Sequence, residues 1–432
     1  MEDEVVADTD AIFSMSPDRQ IQRHSSTLSD TARVVVKDLS SSKKLRLVGW
    51  NVETLSNILK KIEASRSSRS FRRKSSIPVA VGEGPGSVLD EVAEVIPMPT
   101  YEESIKDVDP TTVQLSETVT SQLRNYISEI AAAYRDNPFH NFEHASHVCM
   151  ATIKIFTRVV NPKIDGVSVS KSSLIHDYTY GITSDPIIEF ACVFSALVHD
   201  VDHTGVPNAT LVKENTPVAQ VYKNKSVAEQ NSFNFAWDLL MEPRHKDFLQ
   251  AICQSKDDLK RFRQICVNMV MATDIVNKEL NGFRKQRWEK AFGKKKNAEE
   301  ESEKAKIDRK ATIVLEHLIQ AADISHTMQH WRIYRSWNSK LFMEMYAAYK
   351  AGRTDKNPAD DWYEGELGFF DFYIIPLAKK LRDCGVFGVS SDEHLDYAQR
   401  NRQEWMEKGR DTVAEYLEEA MSMDASSATP SA

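Results

Sequence analysis

From Pro110 onward the apolar positions of this chain recur at spacings of three and four, the period of an amphipathic helix. Val119, Leu123, Tyr126, Ile127, Ile130, Ala131 and Tyr134 form one such face, closed by Asp136-Asn137-Pro138. The same period predicts further helices over roughly 142–158, 187–198, 226–241, 245–253, 258–271, 311–322, 330–350, 365–382 and 391–420. Strand-type alternation is scarce, with one short candidate from Ile164 to Val169. The fold class is therefore all-α. A single compact multi-helix domain is expected over 105–420, with a disordered tail over 421–432.

Residues 1–100 differ from the rest, being rich in serine, threonine and charge and poor in aromatics. Such a segment has too little apolar surface to offset the entropy of folding, so a disordered leader is expected. It holds one patterned island: Val52, Leu55, Ile58, Leu59 and Ile62 mark a short amphipathic helix near 50–63, with Asn51 as its N-cap. Between Ser65 and Ser76, five basic residues stand among serines with no acid, which reads as a solvated linker. Its Arg72-Arg73-Lys74-Ser75 order also suits a basophilic kinase acting near Ser75. A second polar stretch, Lys294 to Lys310, reads as a mobile surface loop.

Bulk chemistry narrows the classes. A formal charge of −8, from 55 basic and 63 acidic residues, speaks against nucleic acid as the main partner. Five scattered cysteines, odd in number and without CxxC spacing, read as buried free thiols in a reducing compartment. The acidic start lacks the features of a signal peptide, and no apolar run reaches the roughly 18–20 residues of a membrane span. A soluble, cytoplasmic protein is the expectation.

Candidate chemistry lies in two short stretches and one distant acid. His140-Asn141-Phe142-Glu143-His144 sets two imidazoles four residues apart, which one helical face can share. His199-Asp200-Val201-Asp202-His203 puts an imidazole beside a carboxylate where the apolar run Ala191 to Val198 finishes and Thr204-Gly205-Val206-Pro207 turns the chain. Asp323 follows another apolar helical run far downstream. Nitrogen and oxygen ligands mixed in this way suit zinc, manganese or magnesium. They point to a binuclear metal phosphohydrolase.

Further motifs follow in order: Ser226-Val227-Ala228-Glu229, Ala272-Thr273-Asp274, Ala322-Asp323-Ile324-Ser325, Tyr334-Arg335-Ser336-Trp337, Leu367-Gly368-Phe369-Phe370-Asp371 and Glu404-Trp405. Together with the two histidine stretches, this series resembles the class I cyclic-nucleotide phosphodiesterases over about 110–415. The resemblance implies that His144, His199, Asp200 and Asp323 hold a tight metal, typically zinc, and that Asp200 bridges to a second ion, magnesium or manganese. It implies that His203, Glu229 and Thr273 orient metal-bound waters, and that His140 is the general acid. A protonated imidazole near two metals needs an acidic partner, which the sequence does not name.

The resemblance also implies a cyclic-nucleotide substrate, with Asn208, Leu341, Glu366 and Phe369 in the pocket. Phe369 and Leu341 match the two jaws of a purine clamp, and Glu366 stands where the family carries a glutamine. An ionised carboxylate only accepts hydrogen bonds. It matches the adjacent N1–H and amino group of guanine and repels the N1 acceptor of adenine, so cyclic GMP is the expected preference. Two departures fall outside the direct ligands: His147 where the family has aspartate, and Asn231-Ser232 where it often has paired histidines. Two other readings stand beside this one, a phosphohydrolase acting on nucleoside triphosphates and a non-catalytic cyclic-nucleotide-binding subunit. Whether the chain pairs as a homodimer stays open at the level of sequence.

Overall fold

Residues 42–68, 87–99, 108–157, 176–293, 301–387 and 389–427 are described by the computed structural model. Among them no strand is formed, in keeping with the all-α expectation. The helices are α1 (Ser42–Ser68), α2 (Glu117–Ala133), α3 (Phe142–Thr157), α4 (Pro186–Val198), α5 (Asn208–Lys213), α6 (Pro217–Val221), α7 (Val227–Met241) and α8 (Lys246–Ile252). They continue as α9 (Lys256–Ala272), α10 (Lys278–Phe292), α11 (Glu303–Asp323), α12 (Trp331–Lys350), α13 (Trp362–Phe369), α14 (Ile375–Asp383) and α15 (Val389–Ser427). The strand candidate Ile164 to Val169 lies outside the described residues.

The most apolar helix sits at the centre. Nearly every side chain of α4 is buried, from Ile187 to Val198, as expected of a helix that is hydrophobic all round. Asp185 caps it, accepting from the Ile187 N–H at 3.0 Å, and Pro186 opens its first turn. Helices α3, α9 and α11 surround α4. Their ends meet where α4 stops, which is what builds the site below.

The first correction concerns the leader. Its short helix extends over Ser42–Ser68, and Leu47, Val48, Val52, Leu55, Ile58, Leu59 and Ile62 are each less than 5% exposed. They pack against α2, α3 and α4. Asn51 is no N-cap; it lies inside the helix, where its amide donates to the Leu47 carbonyl and to Ser146 Oγ, both at 2.9 Å. Arg66, read as part of a solvated linker, donates to the Ala251 and Ile252 carbonyls at 2.6 Å and so caps the end of α8. The remainder of the basic run, including Ser75, lies outside the described residues.

Residues 87–99 form a strap across α9, α10 and α11. Glu91 accepts two bonds from Arg263 at 2.7 Å. Asn268 bonds both backbone groups of Ala93, and the N–H groups of Ile96 and Met98 donate to Thr312 and Asp308. An extended segment can be buried only if its backbone polar groups find such partners. Core packing thus begins well before the expected boundary near residue 105.

The charged insert is corrected in the same way. Its second part forms the opening turns of α11, with Asp308 and Arg309 buried at 5% and 8% exposure. These charges are paired: Asp308 with Lys304 at 2.8 Å, Arg309 with Glu94 at 2.6 Å and with Glu301. Helix α10 carries no apolar period, because two of its three buried residues, Leu280, Arg284 and Arg287, are arginines. The single helix expected over 365–382 is divided by a π turn at Phe370–Ile374. Pro376 has no N–H for the carbonyl four residues back, and the ladder widens there.

All five cysteines are buried and free. Among the described residues no helix is long and apolar enough to cross a membrane.

Burying an apolar side chain stabilises by about 1.5–3 kcal/mol, and a domain's net stability is about 5–15 kcal/mol. The seven core side chains of α1 together are therefore worth about as much as the whole margin or more. Leu55→Ala is expected to cost about 2–5 kcal/mol in urea unfolding, and removal of residues 1–68 to leave no soluble folded domain. A truncated chain unfolding cooperatively near the full chain's midpoint would show that α1 is dispensable.

Candidate metal centre

Asn141 organises the first motif. Its side-chain oxygen accepts from the N–H groups of Glu143 at 2.9 Å and His144 at 3.1 Å, which makes it the cap of α3. His144 consequently lies in the first helical turn, whereas His140 precedes the helix; the two do not share a helical face. The second motif closes α4: His199 is its C-terminal flanking residue, and Asp202 takes φ +63° in the turn that follows. Asp323 is the last residue of α11. Each of these groups therefore stands at a helix end and projects into one space.

The four expected ligands converge there. His144 Nε2 is 3.0 Å from Asp323 Oδ1 and 3.6 Å from Asp200 Oδ2. His199 Nε2 is 2.9 Å from Asp200 Oδ2 and 3.3 Å from Asp323 Oδ1. The four ligand atoms lie within 4.8 Å of one another. His199 Nδ1 donates to the Ala196 carbonyl at 2.9 Å, so Nε2 is the nitrogen that faces the carboxylates, and it carries the lone pair whenever the ring is neutral. That nitrogen is fully buried without a hydrogen-bond partner and faces carboxylate oxygens. A lone pair aimed at anions is repulsive unless a cation lies between them. The donor set fits a divalent metal.

Charge states follow the same geometry. Burial opposes the charges on Asp200 and Asp323, but His199 with His140 and His203 outweighs it at Asp200, and His144 with His199 does so at Asp323, holding both carboxyls well below the usual range. Burial likewise opposes protonation of His199, and the two carboxylates override it. A bound metal would take the place of that proton.

Beside this cluster stand His140 and His203, with ring centroids 3.9 Å apart. Glu344 supplies the partner that the sequence left unnamed. Its Oε1 contacts His140 Nδ1, and its Oε2 accepts from the backbone N–H groups of Phe139 and His140 at 2.9 Å. Burial pulls the His140 imidazolium down, but Glu344 lifts it to about 9. His203, buried against that cation, falls to about 4. One imidazole thus holds a proton while its neighbour stays neutral. These two rings and Glu344 also bring ligand atoms within 4.8 Å of one another. The ring planes lie only 33° apart, however, so their in-plane lone pairs run side by side and do not converge on one ion. The sequence signal for Glu344 is a lone acid inside the apolar run Leu341 to Ala348.

The remaining expected residues are placed as follows. Glu229, in the first turn of α7, is pushed up to about 8 by burial and by the nearby Asp274 carboxylate. Asn208 donates to Glu229 Oε2 and accepts from the Ala228 N–H, both at 2.9 Å, so its amide is committed to holding Glu229. Thr273 follows the end of α9 and donates to the Val270 carbonyl at 2.7 Å. Asn231 and Ser232 tie α7 to the second motif, through Asp202 Oδ2 at 3.3 Å and the Val201 carbonyl at 2.8 Å. Asn137 donates to the carbonyls of His140 and His203, joining the two motifs. Gly205, at φ +72°, lies so near that a β-carbon would come within 3.1 Å of the Asn137 side chain. His147 stands against Trp337, and burial lowers it to about 4.

Glu366 is buried on α13. Tyr334 O–H donates to its Oε2 at 2.7 Å, and Asn338 hydrogen-bonds to it as well. Trp362 Nε1–H donates to Asn338 Oδ1 at 3.1 Å, which leaves the Asn338 NH₂ to face Glu366. Burial raises this carboxyl to about 7, against the pull of those donors. Leu341 lies one turn beyond Asn338 and Phe369 one turn beyond Glu366, on shared helical faces. Phe369 stacks on Tyr373 at 5.3 Å.

A model of the 3'5'-cyclic nucleotide phosphodiesterase family matches residues 139–386. The chain belongs to that family. It is 27% identical over 296 residues to the probable 3',5'-cyclic-AMP phosphodiesterase pde-4 of Caenorhabditis elegans, covering 66% of this chain and 39% of that one. It is also 27% identical over 276 residues to the dual specificity calcium/calmodulin-dependent 3',5'-cyclic nucleotide phosphodiesterase 1C of Mus musculus, covering 61% and 34%. The chain thus spans well under two thirds of these relatives' lengths. The phosphodiesterase domain of Salpingoeca rosetta rhodopsin phosphodiesterase shares the fold, with TM-score 0.52 and 20% identity over 70% of this chain and 86% of that one.

Removing one carboxylate takes away one of the four donor groups and half of the anionic charge facing the ion. Asp323→Ala is expected to lose the tightly held metal on dialysis, as read by elemental analysis of purified protein. Full occupancy in that variant would count against a four-ligand site.

Proposed function

We propose that this chain hydrolyses a 3',5'-cyclic nucleotide to its 5'-monophosphate, using two divalent ions, zinc in the tight position and magnesium or manganese in the second. The observation that carries the reading is the contact of Glu344 with His140 Nδ1 beside four converging candidate ligands. His144, His199, Asp200 and Asp323 would hold the tight ion, with Asp200 shared; His203, Glu229 and Thr273 would orient waters around the pair. Two such dications supply hydroxide near neutral pH and neutralise charge developing on the phosphoryl oxygens.

The protein's own groups do the rest. When the 3′ oxygen leaves phosphorus it carries negative charge, and His140 donates the proton that makes it a neutral hydroxyl. Glu344 keeps that proton in place through neutral pH and fixes the ring's orientation through its contacts to the adjacent backbone. His203, being neutral, does not compete for the role. Leu341 and Phe369 would clamp the purine, and Glu366 would read its edge.

Glu366 supports cyclic GMP as the preferred substrate, with a condition. Its carboxyl is raised to about 7, so near neutrality it is divided between two forms. The ionised form accepts from guanine N1–H and its amino group; the protonated form can donate to adenine N1. A buried polar edge left unpaired penalises the wrong base. The preference for cyclic GMP should therefore strengthen as pH rises through about 7 and weaken below it. Its measure is the ratio of kcat/KM for the two nucleotides between pH 6 and 8.5, with 5'-monophosphate read by coupled phosphate release. A ratio independent of pH, and unchanged in Glu366→Gln, would remove Glu366 from base selection. No turnover of either nucleotide with Mg²⁺ or Mn²⁺ would overturn the function itself.

His140→Ala is expected to lower kcat by about 10²–10⁴, the usual contribution of general acid catalysis, with metal content intact. Glu344→Gln acts differently. With the carboxylate gone, burial is opposed only by Asp200 and Asp323, and His140 falls from about 9. The basic limb of the kcat profile should then move to lower pH, whereas His140→Ala abolishes that limb. A basic limb in Glu344→Gln that coincides with the wild type would separate Glu344 from the proton.

A further inference from the structure

Glu229 and Thr273 come from different helices, yet both must be held in register to arrange water around one ion. The structure shows what joins them. Ser226, which precedes α7, is buried and adopts φ +40°, a left-handed conformation that a serine leaves unless its surroundings hold it. Its hydroxyl does not cap its own helix. It donates to Asp274 Oδ2 at 2.6 Å and accepts from Asn277 Nδ2 at 3.0 Å. The helix start is capped instead by Asn208, which binds the Ala228 N–H and the Glu229 carboxyl.

Asp274 is the other half of the latch. It adjoins Thr273 and is 5% exposed. Its Oδ1 accepts from the Val276 and Asn277 N–H groups at 3.1 and 3.0 Å, so one carboxyl fixes the turn after α9 and grips the start of α7. That turn is pinned from behind as well. Arg284 donates to the Met271, Ala272 and Asp274 carbonyls, and Gln320 of α11 donates to the Ala272 carbonyl at 2.9 Å, three residues before Asp323. Ser226 to Asp274, with Asn277 donating to the same hydroxyl, ties the Glu229 helix to the Thr273 turn.

We propose that Asp274 and Ser226 are positioning residues that set the affinity for the second, weakly held ion by locking Glu229 and Thr273 together. The inference rests on the two-ion reading above. Neither residue touches the ion; each acts through the helix end it holds.

The test uses full-length protein loaded with its tight metal and titrated with Mn²⁺, free ion being counted by electron paramagnetic resonance. Ser226→Gly removes the hydroxyl but accepts φ +40° without strain. Asp274→Asn keeps the backbone acceptor while depriving the serine hydroxyl of its carboxylate. Both are expected to raise the Mn²⁺ dissociation constant by about 10–100-fold, the usual cost of losing a group that orients ligands. The tight ion should stay bound, and turnover at saturating Mn²⁺ should recover to within a few-fold of wild type. Mn²⁺ affinity within twofold of wild type in either folded variant would overturn the latch, as would loss of both ions together. Failure of the wild type to bind a second ion would instead overturn the two-ion reading, and the latch with it.

Discussion

The structure depends on bringing two carboxylates, Asp200 and Asp323, into a buried site against His144 and His199. Withdrawing charges from water costs several kcal/mol each unless they are compensated nearby. The compensation comes from groups far apart in sequence, placed where α3 begins and where α4 and α11 end. Much of the fold serves to make those ends coincide. The apolar centre at α4 supplies the reference, and Tyr134, donating to the Leu197 carbonyl at 2.9 Å, holds the last turn before His199.

A second arrangement divides the work of two histidines. His140 and His203 have nearly stacked rings, and one carboxylate decides between them. Glu344 contacts the His140 ring and accepts from the Phe139 and His140 N–H groups, so the proton resides there and His203 stays neutral. Groups whose surroundings drive their proton affinities apart are suited to separate roles. Glu366 is a different case: burial brings it near neutrality, and its two donors keep it from rising further. The same side chain can then present two hydrogen-bonding faces, according to pH.

Charge also accounts for the parts of the chain that its composition misrepresents. The leader and the lysine- and glutamate-rich insert look unable to fold, since unpaired charge excludes a segment from a core. In the structure Asp308, Arg309, Glu91 and Arg263 are paired with each other's neighbourhoods, across α9, α11 and the strap. Arg284 and Arg287 do the same on α10, against carbonyls and Glu316. Some of these pairs are local, such as Asp308 with Lys304, but Arg309 with Glu94 and Arg263 with Glu91 join residues 215 and 172 positions apart.

The sequence by itself determined the all-α class, the helix boundaries at α2, α4, α7 and α12 to within a few residues, and the identity of the residues that converge at the site. The helices are written in an apolar period, and the ligands in histidine–acid motifs and their resemblance to a family. Only the tertiary structure decided that α1 belongs to the core, that Asn51 bonds to Ser146 and caps nothing, that Glu344 governs His140, and that Asp274 grips Ser226. The physical reason is common to all four. A buried polar or charged group is recognised by the partner that satisfies it, and in each case that partner is brought close only when the chain has folded.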